Sequence, residues 1–191
     1  MPNPRIVDVG LPRSGTQSFT AACEALGLRA AHIGYGEDDL AAQDEFQASG
    51  TGPILDFMTE FDAVSDSPYY GLIEALRAHH PDISLVATTR SRDTWLESIR
   101  NHPQAGATFM RRIFGSEDPE QIFDRHDALL REHGVPRLAL EWDDTTRWGV
   151  LVTILGVREA PDREWPRIDR IGGPGFRIDA LAFDRSQEPA S

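Results

Sequence analysis

The sequence predicts a three-layer α/β fold, a parallel sheet with helices on both faces, built as a single domain. Short apolar runs alternate with amphipathic stretches from residue 5 to residue 157. That order builds strand–helix–strand units joined by right-handed crossovers. A chain of 191 residues matches one domain of roughly 100–200 residues, and no repeat or long linker divides it. Residues 1–191 are therefore read as one domain, with 157–191 as an irregular C-terminal tail.

Each element has its own signal. Arg5–Gly10 (RIVDVG) reads as a buried strand. Ser18–Gly27 follows as a helix, with Phe19, Ala22, Cys23 and Leu26 at helical spacing and Gly27 as its C-cap. Leu28–Ile33 reads as a second strand, and Asp38–Ala48 as a polar surface helix that gives way to the loop Ser49–Pro53. Phe61–Val64 reads as a short strand and Tyr69–His80 as a helix. Ser84–Thr89 (SLVATT) is the best strand after the first, with the helix Thr94–Arg100 behind it. Phe109–Phe114 and Pro119–Glu132 read as helical, Arg137–Trp142 as a strand and Thr145–Leu155 as the last helix. Beyond Val157 the chain turns rich in Pro, Gly and Arg, and the pattern is lost.

Composition narrows the chemistry. Apolar residues at 40% and charged residues at 26% are ordinary for a soluble globular chain. No window approaches the roughly 18 apolar residues of a membrane span, and MPNPRIVDVG lacks a signal-peptide layout, so the expected compartment is the cytoplasm. One cysteine, Cys23, excludes an intramolecular disulfide framework and a Cys-rich zinc site. Nineteen basic residues against 31 acidic ones leave a net charge of −12, a field that repels nucleic acid and anionic membrane. All the basic residues are Arg; the sequence holds no Lys. Lysine bases, Schiff-base lysines and a P-loop lysine are thereby excluded, and a bound anion has to be held by Arg, backbone N–H groups or hydroxyls.

The strongest chemical signal is Val7-Asp8-Val9-Gly10-Leu11-Pro12-Arg13-Ser14-Gly15-Thr16-Gln17-Ser18, a glycine-containing loop between a strand and a helix start. Such a loop presents consecutive N–H groups to a phosphate, backed by the helix dipole. The frame Gly10-x4-Gly15 is that of a P-loop, which makes the sheet P-loop-type. Thr16 stands where a nucleotide triphosphatase has its Lys. Arg13 and the hydroxyls of Ser14, Thr16 and Ser18 offset that loss. The plainer alternative is an ordinary βα turn.

The same loop resembles the phosphosulfate-binding loop of sulfotransferases, Pro-Lys/Arg-Ser-Gly-Thr. That family takes its sulfuryl group from 3′-phosphoadenosine 5′-phosphosulfate (PAPS) and needs no metal. The resemblance implies that Pro12, Arg13, Ser14, Gly15, Thr16, Gln17 and Ser18 bind the donor. It also implies a second anchor, in which a strand-end Arg and a Ser eight residues later hold the 3′-phosphate. Arg90 and Ser98 stand at that spacing, although on residues alone a solvated surface is the better reading of an Arg and a Ser eight apart. The chain is most similar to the small sulfotransferase-like P-loop branch, through Gly10–Gly27, His32, Asp66-Ser67-Pro68, Arg90–Ser98 with Trp95, and Leu155-Gly156-Val157. It departs from that branch at Ser91-Arg92, where Asp-Pro is usual, and at Gln17 and Ser18.

In-line sulfuryl transfer needs charge stabilisation on the leaving phosphate and a base for the acceptor's proton. Arg13 suits the first task. His32, at the carboxyl end of the second strand, is a candidate base, equally readable as a core or second-shell histidine. Asp66 is a base or base-orienter, its plainer role being the N-cap of the helix at Tyr69. Glu37 is a third candidate, in a loop read as acidic and mobile. His79 and His80 end a helix, and His102, His126 and His133 lie in polar helical stretches without ligand spacing, so no metal is expected. Arg170–Gly175 echoes a segment that closes over the 3′-phosphate in larger sulfotransferases, with a tail turn as the plainer reading. Trp142, Trp148, Trp165, Tyr69 and Tyr70 line an acceptor pocket or belong to the core. The expected acceptor is a small alcohol, phenol or amine. Two other functions stay open, a non-catalytic nucleotide- or phosphate-binding protein and a P-loop kinase acting on a small molecule.

Overall fold

Alternation along each strand decides which face a side chain serves. The computed structural model describes residues 4–33, 39–101 and 118–168. Five parallel strands, β1 (Ile6–Asp8), β2 (Ala30–Ile33), β3 (Ala63–Asp66), β4 (Ser84–Thr89) and β5 (Arg137–Ala139), lie in the order β2-β3-β1-β4-β5. Among the described residues seven helices flank them: α1 (Thr16–Ala25), α2 (Asp39–Ser49), α3 (Pro53–Thr59), α4 (Ile73–His79), α5 (Arg92–Arg100), α6 (Pro119–Glu132) and α7 (Asp144–Leu155). A 3₁₀ turn, Tyr69–Gly71, precedes α4.

Val7, Ala31, Val64, Leu85 and Ala87 point to one face and pack on α2, α3, α4 and α6. Ile6, Ala30, Ala63 and Val86 point to the other, against α1, α7 and Trp165. Burial on both faces is why these strands read as near-continuous apolar runs. A smaller cluster of Leu11, Trp95, Leu96, Ile99 and Ile122 fastens the loop after β1 to α5 and α6. The crossover from β1 leads to β2 on one side of the sheet, and that from β4 leads to β5 on the other. The gap between the carboxyl ends of β1 and β4 is thus a topological switch point, where open α/β sheets bind ligands. No helix among the described residues is long and apolar enough to cross a membrane.

β4 and α6 keep their expected bounds, and β1, β2 and β5 are shorter than read. The first helix begins at Thr16 rather than Ser18, because Gly15 turns into it with φ 109° and supplies no side-chain cap. The third strand lies two residues later than expected, which makes Asp66 its last residue. Tyr69–His80 divides into the 3₁₀ turn and α4, and α5 starts at Arg92 rather than Thr94. The helix α3 was not anticipated, although Pro53 at its first turn is a helix-start signal. Glu37, Phe109–Phe114 and Arg170–Gly175 lie outside the described residues.

Candidate active site

β1 ends in a buried carboxyl that organises the loop following it. Asp8 Oδ1 accepts from the backbone N–H of Gly10 at 2.8 Å and of Thr88 at 2.9 Å. Its Oδ2 lies 2.9 Å from Thr88 Oγ1. Ser14 Oγ lies 2.9 Å from the same Thr88 hydroxyl and 2.5 Å from the Leu11 carbonyl oxygen. Burial pushes the Asp8 carboxyl up to about 6, against the hydrogen bonds from Thr88 and Gly10. Two side chains fasten the loop from the far face. Trp95 Nε1 donates to the Pro12 carbonyl at 2.9 Å, and His126 Nε2 donates to that of Val9 at 2.8 Å. His126 is therefore no polar-face residue: burial drives its pKa down to about 4 and holds the ring neutral.

Gly10 is where a side chain cannot be fitted. A Cβ there would sit 2.4 Å from Thr88 Oγ1 and 2.5 Å from the Thr88 carbonyl oxygen. Gly10→Ala is expected to lower stability by about 1–3 kcal/mol through overpacking, read as a fall in the denaturant midpoint.

Arg13 rises from this loop with φ 73°, a conformation that disfavours residues with a Cβ. Its Nε is buried and has no hydrogen-bond partner. Desolvation, then the neighbouring Arg90, lower the proton affinity of its guanidinium, while Asp66 raises it. Arg13 thus lies in the fields of a second cation and a carboxylate. Arg90 follows β4 and lines two cavities. One, of about 320 Å³, is bounded by Ser14, Thr88, Ser91, Trp95, Phe123 and Trp142 among others. The other, of about 520 Å³, is bounded by Gly15, Ser18, Trp142, Arg147, Arg167 and Ile168 among others. Ser98 sits two turns along α5 and lines neither. Ser18 Oγ accepts from the backbone N–H of Ile168 at 3.1 Å. Trp148 and Trp165 are core, packed edge to face, whereas Trp142 is 39% exposed at the cavity mouths.

Ser91-Arg92 preserves the turn into α5. The Ser91 side chain accepts from the Thr94 N–H as an N-cap, the job an Asp performs equally well. Arg92 pairs with Glu120 and Asp124 and ties α5 to α6.

The opposite side of the loop carries the candidate bases. Parallel register sets His32 beside Ser65, which pairs in turn with Asp8, and sets Ile33 beside Asp66. His32 Nε2 lies 2.7 Å from Asp66 Oδ2, and Thr16 Oγ1 donates to the same oxygen at 3.0 Å. Gln17 Nε2 lies 2.9 Å from His32 Nδ1. With the Gln17 amide donating to Nδ1, the neutral ring carries its proton on Nε2 and donates it to Asp66. Both ring nitrogens are engaged inside the protein. Burial would raise the Asp66 carboxyl, but His32, Thr16 and the Ser67 N–H outweigh it and hold the pKa below the ordinary carboxylate value. Asp66 is also strained, with φ 75°. Arg13 and Asp66 are the two non-glycine residues of positive φ among those described, and such outliers concentrate at functional sites. The expected N-cap role of Asp66 is corrected: the 3₁₀ turn at Tyr69 begins from Pro68 with no side-chain cap, because His32 and Thr16 hold the carboxylate.

A parallel sheet of this order, with a glycine-containing loop and two arginines at its switch point, defines an α/β fold of the P-loop type. Comparison with known proteins makes this specific. Residues 5–116 match the sulfotransferase domain family. The chain is 31% identical over 209 residues to "Ava biosynthesis cluster protein M" of Aspergillus versicolor, a match covering 86% of this chain and 80% of that protein. The chain belongs to the sulfotransferase domain family.

Sequence reasoning reached Arg13, Arg90, His32, Asp66 and the loop, and missed what holds them. Asp8 carried a signal, a charged residue inside an apolar strand. Thr88 and His126 carried none, since their partners are backbone and hydroxyl groups from distant segments.

Proposed function

We propose that this chain transfers a sulfuryl group from PAPS to a hydroxyl or amine of a small acceptor, without a metal. In that reaction the acceptor's oxygen or nitrogen bonds to sulfur, and the bond from sulfur to the 5′-phosphate oxygen breaks. The acceptor gives up its proton, and adenosine 3′,5′-bisphosphate leaves. The observation that carries the reading is the position of Arg13, strained and with a buried unpartnered Nε, in the fields of Arg90 and Asp66. Two cations close enough to destabilise each other suit a site that takes a multiply charged anion. The carboxylate beyond them suits a proton acceptor.

Arg13 and the backbone N–H groups of the loop hold the 5′-phosphate and stabilise its growing charge. Pro12, Ser14 and Gly15 shape the loop, the Ser14 hydroxyl acting inward through Leu11 and Thr88 rather than toward the ligand. Thr16 and Gln17 connect the loop to the base pair, and Ser18 lines the larger cavity. Arg90 holds the 3′-phosphate, and Ser98 adds less because it lines neither cavity. Of the His32–Asp66 pair, Asp66 meets the acceptor: its side chain is 15% exposed against 6% for His32.

Thermal-shift measurements with adenosine 3′,5′-bisphosphate, ATP and GTP test the donor, and the bisphosphate is expected to stabilise the chain most. A preference for ATP would transfer the reading to a kinase. Labelled PAPS with a metabolite extract then tests turnover; tight bisphosphate binding without any labelled product would make the chain a binding protein. Arg90→Ala is expected to weaken the bisphosphate by about 1.5–3 kcal/mol, as for a lost charge-assisted hydrogen bond. Adenosine 5′-phosphosulfate, which lacks the 3′-phosphate, should be nearly indifferent to that change. Equal losses for both nucleotides would assign Arg90 elsewhere.

A further inference from the structure

The buried carboxyl behind the loop takes no part in the transfer just described. Asp8 is fully buried, and its two oxygens are not equivalent. Oδ1 receives two backbone N–H groups, which is the pattern of a carbonyl oxygen. Oδ2 begins a file of oxygens: Asp8 Oδ2 to Thr88 Oγ1 at 2.9 Å, Thr88 Oγ1 to Ser14 Oγ at 2.9 Å, and Ser14 Oγ to the Leu11 carbonyl at 2.5 Å. Three oxygen–oxygen contacts need three hydrogens, and two hydroxyls supply two. The Leu11 carbonyl has none to give. A proton on Asp8 Oδ2 completes the file in one direction, each O–H donating toward Leu11. An ionised Asp8 leaves one contact with no hydrogen between its oxygens.

We propose that Asp8 is a positioning residue that acts as a neutral acid beneath the anion-holding loop, so that binding an anion there draws up to about half a proton from solvent onto Asp8. The inference rests on the loop being the donor's anion site. An ionised Asp8 would oppose a phosphate held at this loop by Arg13 and the amides that open α1, in a chain with no Lys to offset it. A protonated Asp8 removes that repulsion and orients Ser14, and with it the turn that carries Arg13.

The surroundings agree. From β3, Asp66 opposes a charge on Asp8, and from α1 the Cys23 thiol is pushed well above its ordinary value and stays neutral. His126 of α6, bonded to the neighbouring Val9 carbonyl, is held neutral by burial. The loop's own cation, Arg13, feels Arg90 and Asp66. Burial, with a pKa raised to about 6, puts the titration within reach of neutral pH.

Inorganic sulfate is the probe, because it stays a dianion throughout the range in which Asp8 titrates. The Asp8 carboxyl carbon is followed by NMR in the wild-type protein from pH 4.5 to 8, with and without sulfate, while the Arg13 and Gly15 amides report binding at the loop. The expected midpoint without sulfate is near 6, rising by about one unit with sulfate. By linkage, that rise is a roughly tenfold weaker sulfate affinity above the titration than below it. Asp8→Asn keeps the Oδ1 acceptor and puts an N–H donor toward Thr88, so its sulfate affinity should lose that tenfold fall. A carboxyl ionised throughout the range overturns the proposal. So does a midpoint that ignores sulfate while the loop amides shift, an outcome that leaves the donor-loop reading standing. Loop amides that ignore sulfate overturn the donor-loop reading and the coupling together, while a midpoint near 6 still records the neutral acid. Should Asp8→Asn fail to fold, the wild-type titration alone decides.

Discussion

Arg13→Ala is expected to lower turnover by about 10²–10³-fold while leaving the chain folded, the loss that follows removal of one preorganised donor to developing charge. The stability side of that expectation comes from the backbone. Arg13 holds φ 73°, so the wild type already carries the cost of a Cβ in the left-handed region, and Ala carries the same cost. Its Nε is buried without a hydrogen bond, so truncation leaves no new polar group stranded. The denaturant midpoint should therefore move little. Arg13→Gly sharpens the test, since glycine occupies positive φ freely and should gain up to about 1 kcal/mol there. A variant that is more stable and far less active would show a strained residue retained for its chemistry. Arg13→Lys is expected to recover only part of the rate, because an ammonium replaces a planar two-pronged donor. Folded Arg13→Ala with wild-type turnover would remove Arg13 as the leaving-group stabiliser.

What was legible in the sequence was whatever depends on neighbours along the chain. Ser84–Thr89 and Pro119–Glu132 kept their bounds because one has the apolar run Leu85–Ala87 with β-branched Thr88 and Thr89 after it, and the other has Asp118 to cap it and Pro119 at its first position. Gly10, Arg13 and Gly15 were legible because the loop's chemistry is compressed into six residues. Asp66 was visible as a residue with two roles open, and the structure removes the N-cap. Its N-cap reading assumed a strand ending at Val64, and two more strand residues carry the carboxylate past the cap position to His32 and Thr16. The Gln17 amide addresses His32, fifteen residues away, a pairing that the motif spacing does not show. The supports of the loop come from β4, α5 and α6, at separations of 74 to 117 residues. Neither periodicity nor motif spacing encodes pairings of that kind.

Asp66→Asn is expected to lower the chemical rate by about 10²–10⁴-fold, the range for loss of a general base, with bisphosphate affinity intact. The geometry explains why this loss should exceed that of His32→Ala. Both His32 nitrogens are engaged, Nε2 by Asp66 and Nδ1 by Gln17, whereas Asp66 is the more exposed of the two. His32 then orients the carboxylate and supports the proton once it has transferred. Asp66 also has a stability signature of determinate sign. Its folded-state pKa lies below the ordinary carboxylate value, so its contribution is present above that value and is lost as pH falls through the lowered one. Asp66→Asn should therefore be less stable than wild type near pH 7, with the difference closing in acid; His32→Ala, which removes the ring that holds the carboxylate, should flatten the same acid limb. Rates are best compared with a poorly acidic alcohol as acceptor, because a phenol ionises with little help and would mask the base. A larger loss at His32 than at Asp66, both folded and both binding the bisphosphate, would return the proton to the imidazole. Near-wild-type rates in both variants with that alcohol would exclude the pair as the proton acceptor.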